Sequence, residues 1–183
     1  MTAPLIPGAD PWSHVAADPA APGALVLHGF TGNPGSMRGL AEAFAAAGFH
    51  VEMPLLPGHG TVIEDMLATR WDDWAGAASA AYRQLAARAD RVVVAGLSMG
   101  GALTLRLGID HPEIRGLVCV NPATQPQAPE VVAVLEQLIA DGTEVMPGIG
   151  SDIADPDVHE SAYEGTPVRA LLSLVLDGLA PLA

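Results

Sequence analysis

The sequence contains no lysine, so all eight of its basic residues are arginine. Set against 21 acidic residues, they leave a net charge of -13. Phosphate backbones and anionic headgroups repel such a chain, which argues against nucleic acid and anionic membrane surfaces as partners. There is a single cysteine, so no internal disulfide can form. That residue, Cys119, lies in the apolar run "LVCVNP" and reads as a small buried strand residue rather than a reactive thiol. No uninterrupted apolar run approaches the ~20 residues of a transmembrane helix. The N-terminal "MTAPLIPGADPWSH" lacks both a basic start and a long apolar core, so it is not read as a signal peptide. Stable membrane insertion is not expected, and a cytoplasmic location is.

What is present is a globular composition. Half of the 183 residues are hydrophobic and 16% are charged, which excludes a disordered chain and allows one domain with a real core. The charge is uneven. From Pro122 onward there are ten acidic residues and one arginine, Arg169; before it there are eleven acidic residues and seven arginines. The second part is therefore expected to be a separately built segment.

Residues 1–23, rich in Pro, Ala and Gly, read as an irregular lead-in. "ALVLHGF" then gives a buried strand over Ala24–Leu27, and "TGNPGS" a turn. Met37, Leu40, Ala41 and Phe44 recur at helical spacing up to Gly48. "FHVEMP" alternates as a second strand, and "LLPGHGT" is a loop. Thr69 can cap a helix whose one face carries Trp74, Ala78, Ala81, Tyr82 and Leu85. "RVVVAG" reads as the third strand. A helix follows from about Met99 to Asp110, and "GLVCVNP" reads as the fourth strand. Strand and helix alternate throughout, which predicts an α/β fold with a mostly parallel sheet covered by helices on both faces. After Asn121 the rhythm changes. Glu130–Ala140 reads as a helix, residues 142–167 as loop, and "PVRALLSLVLDGLAPLA" as another apolar helix.

Gly96-Leu97-Ser98-Met99-Gly100 fits G-x-S-x-G, with a strand before it and a helix after it. In that setting the serine sits on a sharp, strained turn as a nucleophile, and the helix N-terminus behind it favours developing negative charge. Neither dinucleotide glycine spacing nor a P-loop is present. A second motif is "LHGFTGNP", Leu27–Pro34. Acyl transfer needs two donors for the oxyanion of its tetrahedral intermediate. The Met99 N–H, just after the nucleophile, is one, and the Phe30 N–H is the expected second. The Phe30 ring can floor a substrate pocket. His28 is expected to hold this loop by hydrogen bonds, and His59 to be a turn histidine near the site.

These stretches, together with "WDDW" at Trp71–Trp74, resemble the α/β-hydrolase superfamily, and within it the small bacterial carboxylesterase and monoacylglycerol-lipase branch. The resemblance is strong over residues 24–122 and weaker beyond, where "TPVRALLSL" is similar to the end of the family's cap. It implies a partial α/β-hydrolase core over 24–122 and a helical lid over 123–183. It also implies Ser98 as nucleophile, Phe30 and Met99 as oxyanion-hole amides, and Phe30, Met99 and His28 beside the substrate. The reaction implied is hydrolysis of a carboxylic ester, of short or medium acyl or monoacylglycerol type, through an acyl-serine, with no metal and no cofactor. Acyltransferase, thioesterase and peptidase activities share the same intermediate, and a non-catalytic binding domain is a reading of another class.

In that family the triad Asp and His follow later core strands. We find neither context after Ser98 and expect a C-terminally truncated hydrolase that lacks its last core strands. His159, with Asp155 or Asp157 as orienter, is a candidate base, the alternative being a solvated loop histidine. His111 stands too far along the helix that Ser98 begins. The expected consequences are residual activity, an exposed apolar edge at "GLVCVNP" that can self-associate, and a last helix short of packing surface.

Overall fold

A computed structural model describes residues 3–148 and 161–182. In chain order the elements are β1 (Trp12–His14), β2 (Gly23–Leu27), α1 (Arg38–Ala46), β3 (His50–Met53), α2 (Ile63–Met66), α3 (Trp71–Ala86), β4 (Val92–Leu97), α4 (Met99–Asp110), β5 (Gly116–Val120), α5 (Pro129–Ala140), β6 (Val145–Pro147), β7 (Gly165–Pro167) and α6 (Val168–Ser173). The main sheet has the order β1-β3-β2-β4-β5. β2, β3, β4 and β5 run parallel, and β1 is antiparallel to β3.

The two-residue period of β2 explains how both faces of the sheet are covered. Leu25 and Leu27 enter a core cluster with Trp74, Leu85, Met99 and Leu103 of α3 and α4. Ala24 and Val26 face the other way, onto Met37 and Ala41 beside and within α1. Every residue of β2 is buried, as a central parallel strand requires. This is the α/β arrangement expected from the alternation of strands and helices.

Some expectations need correction. Residues 1–23 are not wholly irregular, because Trp12–His14 pairs with β3 in the register Trp12↔Met53 and His14↔Val51. Its support is tertiary. The Ala16 N–H donates to Nδ1 of buried His50 at 3.1 Å, and the Arg38 guanidinium lies 5.3 Å above the Trp12 ring. Residues 142–167 are not loop alone either: β6 and β7 form an antiparallel ribbon, Val145↔Pro167. α3 begins at Trp71 rather than being capped by Thr69. The Thr69 hydroxyl donates to Met66 O, while the Asp73 carboxylate accepts the Arg70 N–H at 2.8 Å and satisfies one of the orphan donors of the first turn.

The C-terminal apolar run is α-helical only to Ser173, then widens into a π-helical stretch over Leu174–Leu179. It is not short of packing. Leu174, Val175 and Leu179 are buried, and Gly178 lies so close to Trp71 that a β-carbon there would meet its ring at 2.6 Å. The reason is that α3 and α4 themselves supply its packing surface. β5 is an edge strand among the described residues. Leu117, Val118 and Val120 on it are 41%, 42% and 41% exposed.

Candidate active site

β4 ends at Leu97 and α4 begins at Met99, which leaves Ser98 alone to reverse the chain. Its backbone angles are φ 53° and ψ −113°, a region that a residue with a β-carbon enters only when its surroundings force it. The forcing contacts are visible. The Ser98 N–H donates to Val120 O at the end of β5, and its carbonyl accepts from Gly101 N and Ala123 N. The two flanking glycines permit the tight approach. A β-carbon on Gly96 would sit 2.0 Å from Gly100 O, and one on Gly100 would sit 2.3 Å from Leu27 O. Any side chain at either position would therefore push α4 off the end of β2 or β4.

The loop after β2 lies against this turn. A β-carbon on Gly29 would stand 3.6 Å from Ser98 Cβ, so the "HGF" backbone is in direct reach of the serine. His28 is fully buried and organises the loop. Its Nε2 accepts the Leu56 N–H at 3.1 Å, and its Nδ1 lies 3.0 Å from Gly29 O. With Nε2 occupied as an acceptor, Nδ1 carries the proton and donates to Gly29 O. That carbonyl belongs to the same planar peptide as the Phe30 N–H, so fixing the oxygen also fixes the direction in which that N–H points. No hydrogen bond among the described residues engages the Phe30 or the Met99 N–H.

His28 and His59 meet edge-on with ring centroids 5.0 Å apart. Burial, then the neighbouring His59, pulls His28 down to a pKa of about 3. Burial pulls His59 down to about 4. Both are neutral at pH 7. His59 donates Nδ1–H to Pro57 O at 2.9 Å, and its Nε2 is buried with no partner among the described residues. The Phe30 ring, partly buried, turns onto Trp74 at 5.6 Å and His59 at 6.5 Å and packs against the core beneath the loop.

The structure thus brings Ser98, Met99, Gly29, Phe30 and His28 together. It does not bring a described histidine onto the Ser98 hydroxyl, which hydrogen-bonds no described residue. His28 has both ring nitrogens engaged. His111 caps the far end of α4, 4.3 Å from the Tyr82 ring. His14 stacks on Trp12, and His50 binds Ala16 N. His159, Asp155 and Asp157 lie outside the described residues. A cavity of about 370 Å³ opens elsewhere, between Arg70, Asp72, Arg169 and Asp177, and includes none of the candidate residues.

Sequence reasoning missed Leu56, which sets the His28 tautomer. It also missed Thr31 at φ 61° and Tyr163, whose N–H donates to Thr31 O at 3.1 Å. No local pattern announces contacts between residues so far apart in the chain.

Residues 20–152 match the protein family described as Serine aminopeptidase, S33. The chain belongs to that family. It is 43% identical over 173 residues to the thermostable monoacylglycerol lipase of Bacillus sp. (strain H-257), covering 93% of this chain and 66% of that protein. It is 28% identical over 151 residues to a carboxylesterase of Bacillus subtilis (strain 168), covering 82% of this chain and 60% of that one. Among solved structures it matches one from the work on LipS and LipT, two metagenome-derived lipolytic enzymes. The TM-score is 0.87 at 43% identity, over 96% of this chain and 70% of that one. The fold is that of the α/β-hydrolases. The chain spans 66% and 60% of the length of the curated relatives it matches. No helix among the described residues is long and apolar enough to cross a membrane.

Proposed function

We propose that this chain carries the nucleophile and oxyanion hole of a serine hydrolase acting on carboxylic esters, monoacylglycerols included. The observation that carries the reading is Ser98 at φ 53°, held between β4 and α4 with the Gly29–Phe30 peptide against it. Ser98 Oγ attacks the ester carbonyl, and the oxyanion takes hydrogen bonds from the Phe30 and Met99 N–H groups. Collapse expels the alcohol and leaves an acyl-serine, which water hydrolyses in a second pass through the same intermediate. One oxyanion donor is worth roughly 3 to 4 kcal/mol in the transition state. No described residue receives the Ser98 proton; it passes to solvent water, which returns a proton to the leaving alcohol, and attack by Ser98 through the described residues is slow. In this reading the Phe30 and Met99 amides meet the substrate, and buried His28 holds the Phe30 peptide through Gly29 O. Residues 24–122 carry the site, and among the described residues beyond them α6 and the stretch after it fill the core.

The names of the two curated relatives favour esters. The family description favours a peptidase, and the intermediate is common to both. A panel of monoacylglycerols, short p-nitrophenyl esters, acyl thioesters and aminoacyl amides separates them. Measurable ester turnover that Ser98→Ala abolishes is expected. Preferential turnover of amides or thioesters would replace the ester reading. A cytoplasmic location and self-association through β5 belong to the same proposal, supported by the lone half-buried Cys119 and by the exposed valines of the edge strand.

A further inference from the structure

The oxyanion loop is held from two directions, and only one lies in its own stretch of sequence. From within, His28 binds Gly29 O and the Thr31 hydroxyl donates to Phe30 O at 2.6 Å. From without, the Tyr163 N–H donates to Thr31 O at 3.1 Å. Thr31 is β-branched and stands at φ 61°, a conformation that persists only when neighbours impose it.

The same short segment grips the loop again two residues further on. The Asn33 side-chain amide, 1% exposed, donates to Ser161 O at 2.6 Å and to Ser161 Oγ at 2.9 Å. Its Oδ1 accepts Gly35 N at 2.9 Å, so every polar group of this buried amide is used. The Tyr163 hydroxyl reaches a second loop, the turn that carries His59. It donates to Gly58 O at 2.9 Å and accepts the Thr61 N–H at 3.1 Å. Three residues thus join two turns that lie more than 100 positions away in the chain.

We propose that Ser161–Tyr163 is a strap that positions the oxyanion loop, with Tyr163 and Asn33 as its positioning residues. The inference rests on the reading of Phe30 as an oxyanion donor. Neither residue touches the reacting atoms. They act by keeping the Phe30 N–H in place before the tetrahedral intermediate forms, an effect felt more in the transition state than in substrate binding.

The test compares amide hydrogen exchange across the native chain, Tyr163→Phe and Tyr82→Phe. The last removes an equivalent hydroxyl from a tyrosine bonded instead to Glu113. Alongside it, the rate of Ser98 modification by a fluorophosphonate is followed by intact mass. In Tyr163→Phe, which keeps the backbone bond to Thr31 O and removes the hydroxyl's bonds to Gly58 and Thr61, exchange over residues 56–61 is expected to rise roughly fivefold, while Tyr82→Phe leaves exchange and labelling unchanged. Asn33→Asp, which keeps the Oδ1 acceptor and removes the donors to Ser161, is expected to raise exchange over residues 28–33 and to slow labelling. Exchange at the two loops equal to that of the native chain would overturn the strap. So would a rise spread evenly over the whole chain, or faster exchange over residues 28–33 with labelling unchanged. If the native chain is not labelled at all, the nucleophile reading fails separately, and loop exchange alone decides the strap.

Discussion

The Leu56 N–H donates to His28 Nε2 at 3.1 Å, and this bond determines which way the oxyanion peptide faces. It leaves Nδ1 as the protonated nitrogen, which must then donate to Gly29 O. A residue in the turn before His59 therefore governs an amide in the loop after β2, through one imidazole.

Replacing that imidazole separates its two bonds. Asparagine places an amide donor near the position of Nδ1 but offers nothing to Leu56, whereas leucine offers neither bond. His28→Asn is expected to keep part of the Ser98 labelling rate, and His28→Leu to lose most of it. Both lose roughly 1 to 3 kcal/mol of stability from the unpaired Leu56 N–H, measured by urea unfolding. Equal labelling in the two variants would deny His28 its role in aiming the Phe30 N–H.

Acid should destabilise the fold well before its carboxylates titrate. His28 and His59 are held at about 3 and about 4, against about 6.5 in an unfolded chain. Below pH 6.5 the unfolded chain takes up protons that the folded chain refuses, so stability falls as pH drops toward 4. Each histidine contributes up to ~1.4 kcal/mol per pH unit. His59→Phe is expected to flatten the profile of folding free energy between pH 6.5 and 4.5. A profile as steep as that of the native chain would show that His59 is not kept neutral by burial.

The strain at Ser98 can be released. Glycine tolerates φ 53° without a β-carbon penalty, and alanine does not. Ser98→Gly is expected to gain about 1 kcal/mol over Ser98→Ala in denaturant unfolding. No difference would mean that the turn is relaxed.

β5 presents Leu117, Val118 and Val120 on an unpaired edge of the described sheet, the kind of surface on which strands pair between chains. Light scattering should find concentration-dependent association that Val118→Lys suppresses. A strictly monomeric native chain up to high concentration would exclude pairing through this edge.

The legibility of the sequence followed contact distance. "VVVAGLSMGG" could be read directly, because a strand, a forced turn and a helix start are consecutive and the glycines are required by contacts within and beside the motif. The burial of β2 and the apolar face of α3 could be read for the same reason, from the apolar run of one element and the periodicity of the other. β1 and the β6–β7 ribbon have only three residues per strand, too few to show alternation, and they exist through their partners. Tyr163 reads as part of a loop in the sequence because its bonds go to Thr31, Gly58 and Thr61, contacts that no local pattern encodes. The packing of Leu174 and Leu179 is not legible locally because α3 and α4, not a following strand, receive them.

The most direct test of the central claim is intact mass after exposing the folded chain to a fluorophosphonate, with Ser98→Ala beside it. The account predicts one probe mass on the native chain, mapped to Ser98, and none on the variant or on the chain unfolded in urea. A folded native chain that takes up no probe, or a variant labelled as fully as the native chain, would contradict it.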